Sequence, residues 1–163
     1  MYKRQALSLE QALQKARHYC GYQERSHGEV QDKLYSFGLR KKDVEMALAI
    51  LIEENYLNEE RFAIQFAGGH FRLKEWGRVK IRYELRQRQV SEYCIKKALT
   101  AIDEEDYERA LGRLAAKKWE ILGEEGNAFI RKRKLQDYLL QKGYESDRVS
   151  AAVRTVAGGG DGD

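Results

Sequence analysis

Between Arg72 and Lys97 the chain carries Arg72, Lys74, Arg78, Lys80, Arg82, Arg86, Arg88, Lys96 and Lys97 against Glu75, Glu84 and Glu92, a basic block in a protein whose formal charge is only +4. Guanidinium groups one helical turn apart meet phosphates along a backbone, or carboxylates on an acidic protein, because each presents a fixed fork of donors that never loses its charge. On a helix starting near Gly77, with Ile81 and Leu85 facing inward, Arg82 and Arg86 share one flank, Arg88 lies near the opposite flank and Lys80 points towards solvent. Trp76 and Tyr83 fall in the same stretch and offer flat faces on which exposed bases stack. The plainer reading is a solvated helix that collected Arg and Lys, tempered by Glu84; the scarcity of compensating acids favours binding. A second run, Arg131, Lys132, Arg133 and Lys134, opens the equivalent helix of a later segment. Four consecutive charges cover every side of a helix, so some must snorkel across the core while others face water. Arg40, Lys41 and Lys42 read as a solvated turn.

Catalysis would need convergent polar groups, and the sequence offers no such set. There is no glycine-rich loop ending in Lys and Ser or Thr, no dinucleotide fingerprint and no serine nucleophile between glycines. His18, His27 and His70 stand far apart, without metal-ligand spacing. The carboxylates at Glu53, Glu54, Glu59 and Glu60, and from Asp103 to Asp106, read as helix caps and solvated helix ends rather than an acid and base pair. Cys20 and Cys94 are solitary in apolar surroundings and read as reduced packing residues. No catalytic residue, metal or cofactor is expected, so the chemistry on offer is binding.

What must position the basic block is a threefold repeat. Val30, Leu34, Leu39, Val44, Ala47 and Leu48 recur 51 positions on as Ile81, Leu85, Val90, Ile95, Ala98 and Leu99, and again 105 positions on from the first set as Leu135, Leu139, Tyr144, Val149, Ala152 and Val153. One small unit is used three times, and each copy is expected to lean on its neighbour, because a unit of roughly 50 residues buries a thin core alone. The apolar spacing is helical, and a composition without proline and with a third of its residues charged suits exposed helices. The expected fold is all-α: three tandem three-helix repeats, residues 1–57, 58–104 and 105–157, forming an elongated, curved body, with a disordered tail over 158–163.

Within that frame Leu9–Tyr19, His27–Phe37 and Lys42–Glu54 are the helices of the first copy, with Gly38 in a left-handed cap. Asn58 caps the next helix, which Gly68 and Gly69 are expected to weaken; Gln89 stands where a turn glycine is expected, and Ser91 caps the helix after it. The third copy opens near Asp106, with an inserted loop of about seven residues around Gly123–Gly126, before helices over 128–141 and 146–156. The longest apolar run, Met46–Ile52, is too short to span a bilayer, and Met1–Glu10 lacks the features of a secretory signal, so a soluble cytoplasmic protein is expected.

The segment Tyr56-Leu-Asn-Glu-Glu-Arg-Phe-Ala63, followed by Arg72, by Gly77 with Lys80 and Ile81, and by Glu84-Leu85, resembles the signature of the RecX family of regulatory proteins. That family is also built of three tandem three-helix repeats. The chain departs from the pattern at Arg78, where a proline often follows the glycine, at Arg88-Gln89-Val90 in place of Lys-Gly-Ile, and at Gly68-Gly69-His70. The resemblance implies a non-enzymatic modulator of the recombinase RecA. Such a protein binds the RecA filament on single-stranded DNA, acts as a monomer without touching membranes, and restrains filament growth, ATP hydrolysis, strand exchange and coprotease function. The expected contacts to RecA or to single- or double-stranded DNA are Arg72, Lys74, Arg78, Lys80, Arg82, Arg86 and Arg88, with Arg131, Lys132, Arg133 and Lys134. The alternative is a stand-alone helical DNA-binding module with a transcriptional or architectural role. Third helices such as 91–102 offer few Asn, Gln or Arg side chains with which that reading would reach base edges.

Overall fold

Small oxygen-bearing side chains stand where most of the apolar stripes begin, and they set the helix starts. The computed structural model describes residues 6–123 and 126–158 and places there nine helices and no strand: α1 (Leu9–Tyr22), α2 (His27–Ser36), α3 (Lys41–Glu53), α4 (Glu59–Lys74), α5 (Arg78–Gln87), α6 (Glu92–Thr100), α7 (Glu104–Leu122), α8 (Ala128–Gln141) and α9 (Ser146–Gly158). Ser8 and Ser26 form reciprocal capping boxes with Gln11 and Glu29, while Asn58, Ser91, Asp103 and Asn127 each accept a backbone N–H from the first turn. Each such cap contributes about 1 kcal/mol to its helix. The fold is all-α, as the periodicity predicts, and no helix among the described residues is long and apolar enough to cross a membrane.

The repeated stripe fills the interior. Every one of its aligned positions is buried except Leu48, Ala152 and Val153, which are partly buried against the same cores. Removing one such leucine or valine from water stabilises by about 1.5–3 kcal/mol. Gly38 and Gly143 take φ of 87° and 98° after α2 and α8, and Gln89 takes the equivalent place after α5 at φ 59°. A left-handed backbone costs a residue with a side chain about 1–2 kcal/mol. The amides of Gln89 and Val90 offset it by donating to the carbonyls of Arg86 (2.9 Å) and Leu85 (3.1 Å).

Three local expectations are corrected. Gly68 and Gly69 do not weaken α4 into a break: a Cβ on Gly68 would lie 2.8 Å from Arg72 Nη1, so the bare position leaves room for that guanidinium to fold back along the helix. The helix runs on to Lys74, where Glu75 ends it at φ 57°. Most of the inserted residues of the third copy lengthen helices, and among the described residues Gly123, Gly126 and Asn127 stay outside them. α7 has 19 residues against 14 in α1 and 16 in α4, and α8 has 14 against 10 in α2 and α5. Glu124 and Glu125 of the expected loop, and residues 159–163 of the expected tail, lie outside the described residues, whereas Gly158 belongs to α9.

Neighbouring units do not associate alike. Helices α4 to α9 share one continuous core, from Phe62 to Val149, while α1 to α3 enclose a separate one that ends at Leu57. Between Leu57 in the first core and Phe62 in the second stands Arg61. Its guanidinium donates to the Glu24 carboxylate, to the Asn55 carbonyl (3.0 Å) and side-chain oxygen (3.3 Å), and to the Tyr56 carbonyl (3.4 Å). It ties the left-handed turn at Asn55 to the end of α1. Arg61→Ala is expected to remove about 2 kcal/mol of charge-assisted hydrogen bonding from this joint. Limited proteolysis should then cut segment 54–58 at least about tenfold faster, with the melting of the α4–α9 core unchanged.

Candidate functional site

The basic helix α5 begins without a side-chain cap, and the third unit supplies what its start lacks. Gly77 N–H donates to the Lys142 carbonyl (2.8 Å), Arg78 N–H to the Tyr107 hydroxyl (2.9 Å) and Val79 N–H to the Gly143 carbonyl (2.8 Å). Three amides left orphaned at a helix start are thereby satisfied from α7 and from the turn between α8 and α9. Backbone contact this close needs glycine on both sides. A Cβ on Gly77 would lie 2.3 Å from the Gly143 oxygen, and one on Gly143 would lie 2.2 Å from Lys80 Cβ.

Tyr107 is the centre of this joint. Its ring is fully buried, with Phe71 at 5.7 Å, Tyr144 at 5.1 Å and the Arg78 guanidinium 3.8 Å from its centroid. Burial pushes the phenol well above the ordinary tyrosine range, and the hydrogen bond it donates to Glu145 adds to the shift. Tyr107→Phe would leave the Arg78 amide without its acceptor, a loss of about 1–3 kcal/mol. A lower urea midpoint, with faster hydrogen exchange at the Arg78 amide, is the expected result.

Charge closes the joint from outside. Arg78 and Arg148 both donate to Glu104, and their hydrogen bonds, that of Arg148 first, hold its carboxyl below the usual carboxylate range. A group depressed in the folded state stabilises above its unfolded pKa, and that contribution fades as pH falls through the folded value. Glu104→Gln should therefore flatten the acid limb of a stability profile measured by urea denaturation below about pH 4.

These contacts sort the expected binding residues. Arg78, with a side chain only 16% exposed, is bound into the joint. Lys80 does not point freely to solvent: its Nζ lies 4.7 Å from the centroid of Trp76, and its backbone packs on Gly143. Trp76 is itself stacked on His70 at 4.5 Å and is no open platform for bases. Arg88 sits over Phe66 at 4.7 Å and donates to Glu84. Arg131 lies 3.7 Å above Trp119 and donates to that residue's carbonyl at 2.6 Å, so it braces α8 against α7. Lys132, Arg133 and Lys134 face outward, with Arg133 near Asp137 at 3.9 Å. Arg72 and Lys74 are exposed in the last turn of α4, and Lys74 Nζ lies 5.3 Å from the Trp76 centroid.

Arg82 and Arg86 remain, and the structure brings them together. Their side chains are 43% and 53% exposed, and both reach Glu92 at the start of α6, at 3.6 Å and 2.6 Å. The hydrogen bond from Arg86 holds the Glu92 carboxyl below its usual range. Between α5, α6 and the start of α7 lies an open groove of about 580 Å³ whose wall includes Arg78, Arg82, Lys96 and Thr100. Lys96, counted in the basic block but not among the expected contacts, belongs to this surface, and its membership of that block was the available signal. Tyr83, on the outer face of α5, stays exposed. The arrangement holds two guanidinium groups one turn apart against one solvated carboxylate. Exposed ion pairs are worth about 0–1 kcal/mol, so a phosphate or a partner's carboxylate displaces Glu92 at little cost.

Comparison with known proteins places this arrangement. Residues 58–99 match the family model described as RecX, second three-helix domain, and residues 103–153 match RecX, third three-helix domain. The chain belongs to the RecX family. The regulatory protein RecX of Prosthecochloris aestuarii is 33% identical over 140 residues, covering 85% of this chain and 88% of the relative. That of Clostridium perfringens (strain 13 / Type A) is 36% identical over 129 residues, 78% of this chain, and the chain spans 60% of that relative's length. Among solved structures, RecX from Lactobacillus salivarius superposes with a TM-score of 0.82 at 20% identity, over 91% of this chain and 96% of that one. A second regulatory protein RecX gives 0.79 at 24% identity, over 87% of this chain and 70% of that one. At such identities these two speak for the fold. The stretches matched to the RecX domains are those that share the larger core and carry the α5–α6 surface.

Proposed function

We propose that this chain is a cytoplasmic, non-enzymatic regulator that binds the RecA filament on single-stranded DNA and restrains its extension, ATP hydrolysis, strand exchange and coprotease activity. Membership of a family of regulatory proteins supports the reading, and the observation that carries it to a surface is the exposed Arg82–Arg86 pair beside Lys96. A nucleoprotein filament offers the matching chemistry in phosphates and acidic side chains. Binding of this kind weakens as salt rises, because counterions condensed on the strand are no longer released with the same gain. Arg72, Lys74, Lys132, Arg133 and Lys134 extend the basic surface. Arg78, Lys80, Arg88 and Arg131 serve it by fixing the helices.

The stand-alone DNA-binding reading would use α6 as a recognition helix. That helix turns Lys96, Lys97 and Tyr93 outward and carries no Asn, Gln or Arg to read base edges. Footprinting with and without RecA separates the two readings: protection that needs RecA supports filament binding, and sequence-specific protection without it supports the module. RecA ATPase titrated with the chain then gives the mode. Inhibition far below one chain per RecA means blocked growth, and inhibition near stoichiometry means coating of the groove.

A further inference from the structure

The third unit carries a second cationic surface, on residues the basic block does not include. α7 and α8 and the residue after α4 enclose a cleft of about 330 Å³ into which Arg113, Lys117, Lys118 and Lys142 converge. One carboxylate, Glu75, faces them and is taken by Arg113 at 3.1 Å. Leu114, Ile121 and Tyr138 make the apolar wall. Lys118 Nζ lies 4.9 Å from the Tyr138 centroid, and Lys142 Nζ donates to the Lys74 carbonyl at 2.7 Å. Lys117 is exposed and has no acidic partner among the described residues.

The repeat makes this placement informative. Aligning Ala110, Leu111 and Leu114 on Ala12, Leu13 and Ala16 puts Lys118 on Cys20, which is buried; Phe62, Ala63 and Phe66 of the second unit keep the same spacing and put His70 there, half-buried. The third unit thus has a lysine where the first packs a buried cysteine and the second a histidine ring stacked on Trp76. Its longer α7 also carries the chain on to Ile121, which is 67% exposed at the cleft rim.

We infer that this cleft is a site for the phosphodiester backbone of a nucleic-acid single strand, with phosphates against Lys117, Lys118 and Lys142 and the sugar and base edge on the wall formed by Leu114, Ile121 and Tyr138. The planar fork of arginine suits carboxylates and phosphates alike, and the arginine of this cleft is already paired with Glu75, which leaves the lysines to hold a ligand. The lysines are point charges on flexible stems, suited to phosphates that vary in position along a mobile strand. Leu114, Ile121 and Tyr138 supply apolar surface that does not depend on base identity, beside the charge that single-strand grooves use. The site stands apart from the α5–α6 surface and needs no recombinase.

Fluorescence anisotropy of a labelled oligo(dT) with the full chain, without RecA, tests it. Lys117→Ala/Lys118→Ala is expected to weaken binding about tenfold at low salt and to reduce the slope of log affinity against log salt by about 1.4, since each single-strand phosphate contact contributes about 0.7. Lys117→Glu alone, an exposed change that spares folding, should weaken binding in the same direction. Unchanged affinity and slope in both variants would overturn the site. So would an equal loss in Lys41→Ala/Lys42→Ala, which would reduce the effect to net charge. Two further probes separate the sources of the anion. An equal loss of affinity for an oligoglutamate of matched charge would mean an acidic protein partner, and loss of ATP binding with oligo(dT) binding intact would mean a free-nucleotide site; either result contradicts the strand assignment. Because RecA is absent, failure here leaves the filament reading standing, and failure of that reading leaves this site untouched.

Discussion

Gly77→Ala should strip the second and third units of their common stability while leaving the first intact. The added methyl would meet the Gly143 carbonyl oxygen at 2.3 Å, its carbon at 2.4 Å and the Tyr144 nitrogen at 2.5 Å, all of them backbone. No rotamer change relieves such a clash, so α5 or the turn between α8 and α9 must move. Movement lengthens the bonds from Gly77 to Lys142 and from Val79 to Gly143, and pulls Arg78 from Tyr107. Overpacking of this kind costs about 1–3 kcal/mol, and two or three hydrogen bonds add about 1 kcal/mol each. A loss of about 3 kcal/mol or more is the expected total. Hydrogen exchange followed by mass spectrometry should show protection falling across α4–α9 and persisting in α1–α3, because the first unit encloses its own core. Uniform loss across all nine helices would mean that the units unfold as one body. Gly143→Ala should act in the same direction, with the added strain of a side chain at φ 98°.

Gly77 shows how the sequence is informative and where it stops. The position stands out as part of a family signature and as a helix start, yet nothing in its neighbours tells that Gly143, far along the chain, is the backbone it must admit. The apolar stripe, by contrast, was fully legible, since Ile81, Leu85 and their counterparts obey a local period that any helix must obey. Capping by Asn58 and Ser91 and the left-handed Gln89 were legible for the same reason, being set within four residues. Which cations are open was not, because their partners lie in other units. Arg78 finds Glu104 and Tyr107, and Arg131 finds Trp119. Lys80 was expected in solvent and is held on Trp76 instead. The inserted residues of the third copy read as a loop through their glycines, yet most of them extend α7 and α8, where Trp119 and Leu122 give the added turns something to pack on. Equal apolar patterns also concealed an unequal assembly: the stripe gives every unit a core, and Tyr107, Tyr144 and the Gly77–Gly143 contact help to merge two of them.

Arg82→Ala/Arg86→Ala carries the second large expected effect, on function with the fold untouched. Both side chains leave their backbone on the solvent side of α5, between the buried Ile81 and Leu85, and both spend their charge on one exposed carboxylate. Removing them frees Glu92 to water and creates no buried unpaired charge, so the melting temperature should stay that of the wild type. In a bound state each guanidinium would instead hold a phosphate or a desolvated carboxylate, contacts worth about 1.5–3 kcal/mol. Losing the pair should cost at least about tenfold in affinity. Wild-type binding should also depend more steeply on salt than that of the variant, by about one phosphate contact per arginine.

The decisive measurement is RecA ATP hydrolysis on single-stranded DNA, titrated in parallel with the wild-type chain and with Arg82→Ala/Arg86→Ala of equal helicity and melting temperature. Suppression by the wild type, with the variant needing at least about tenfold more protein for half the effect, is the result predicted by a filament regulator that works through the α5–α6 surface. Equal suppression by both would contradict that surface, and no suppression by the wild type would contradict the function itself.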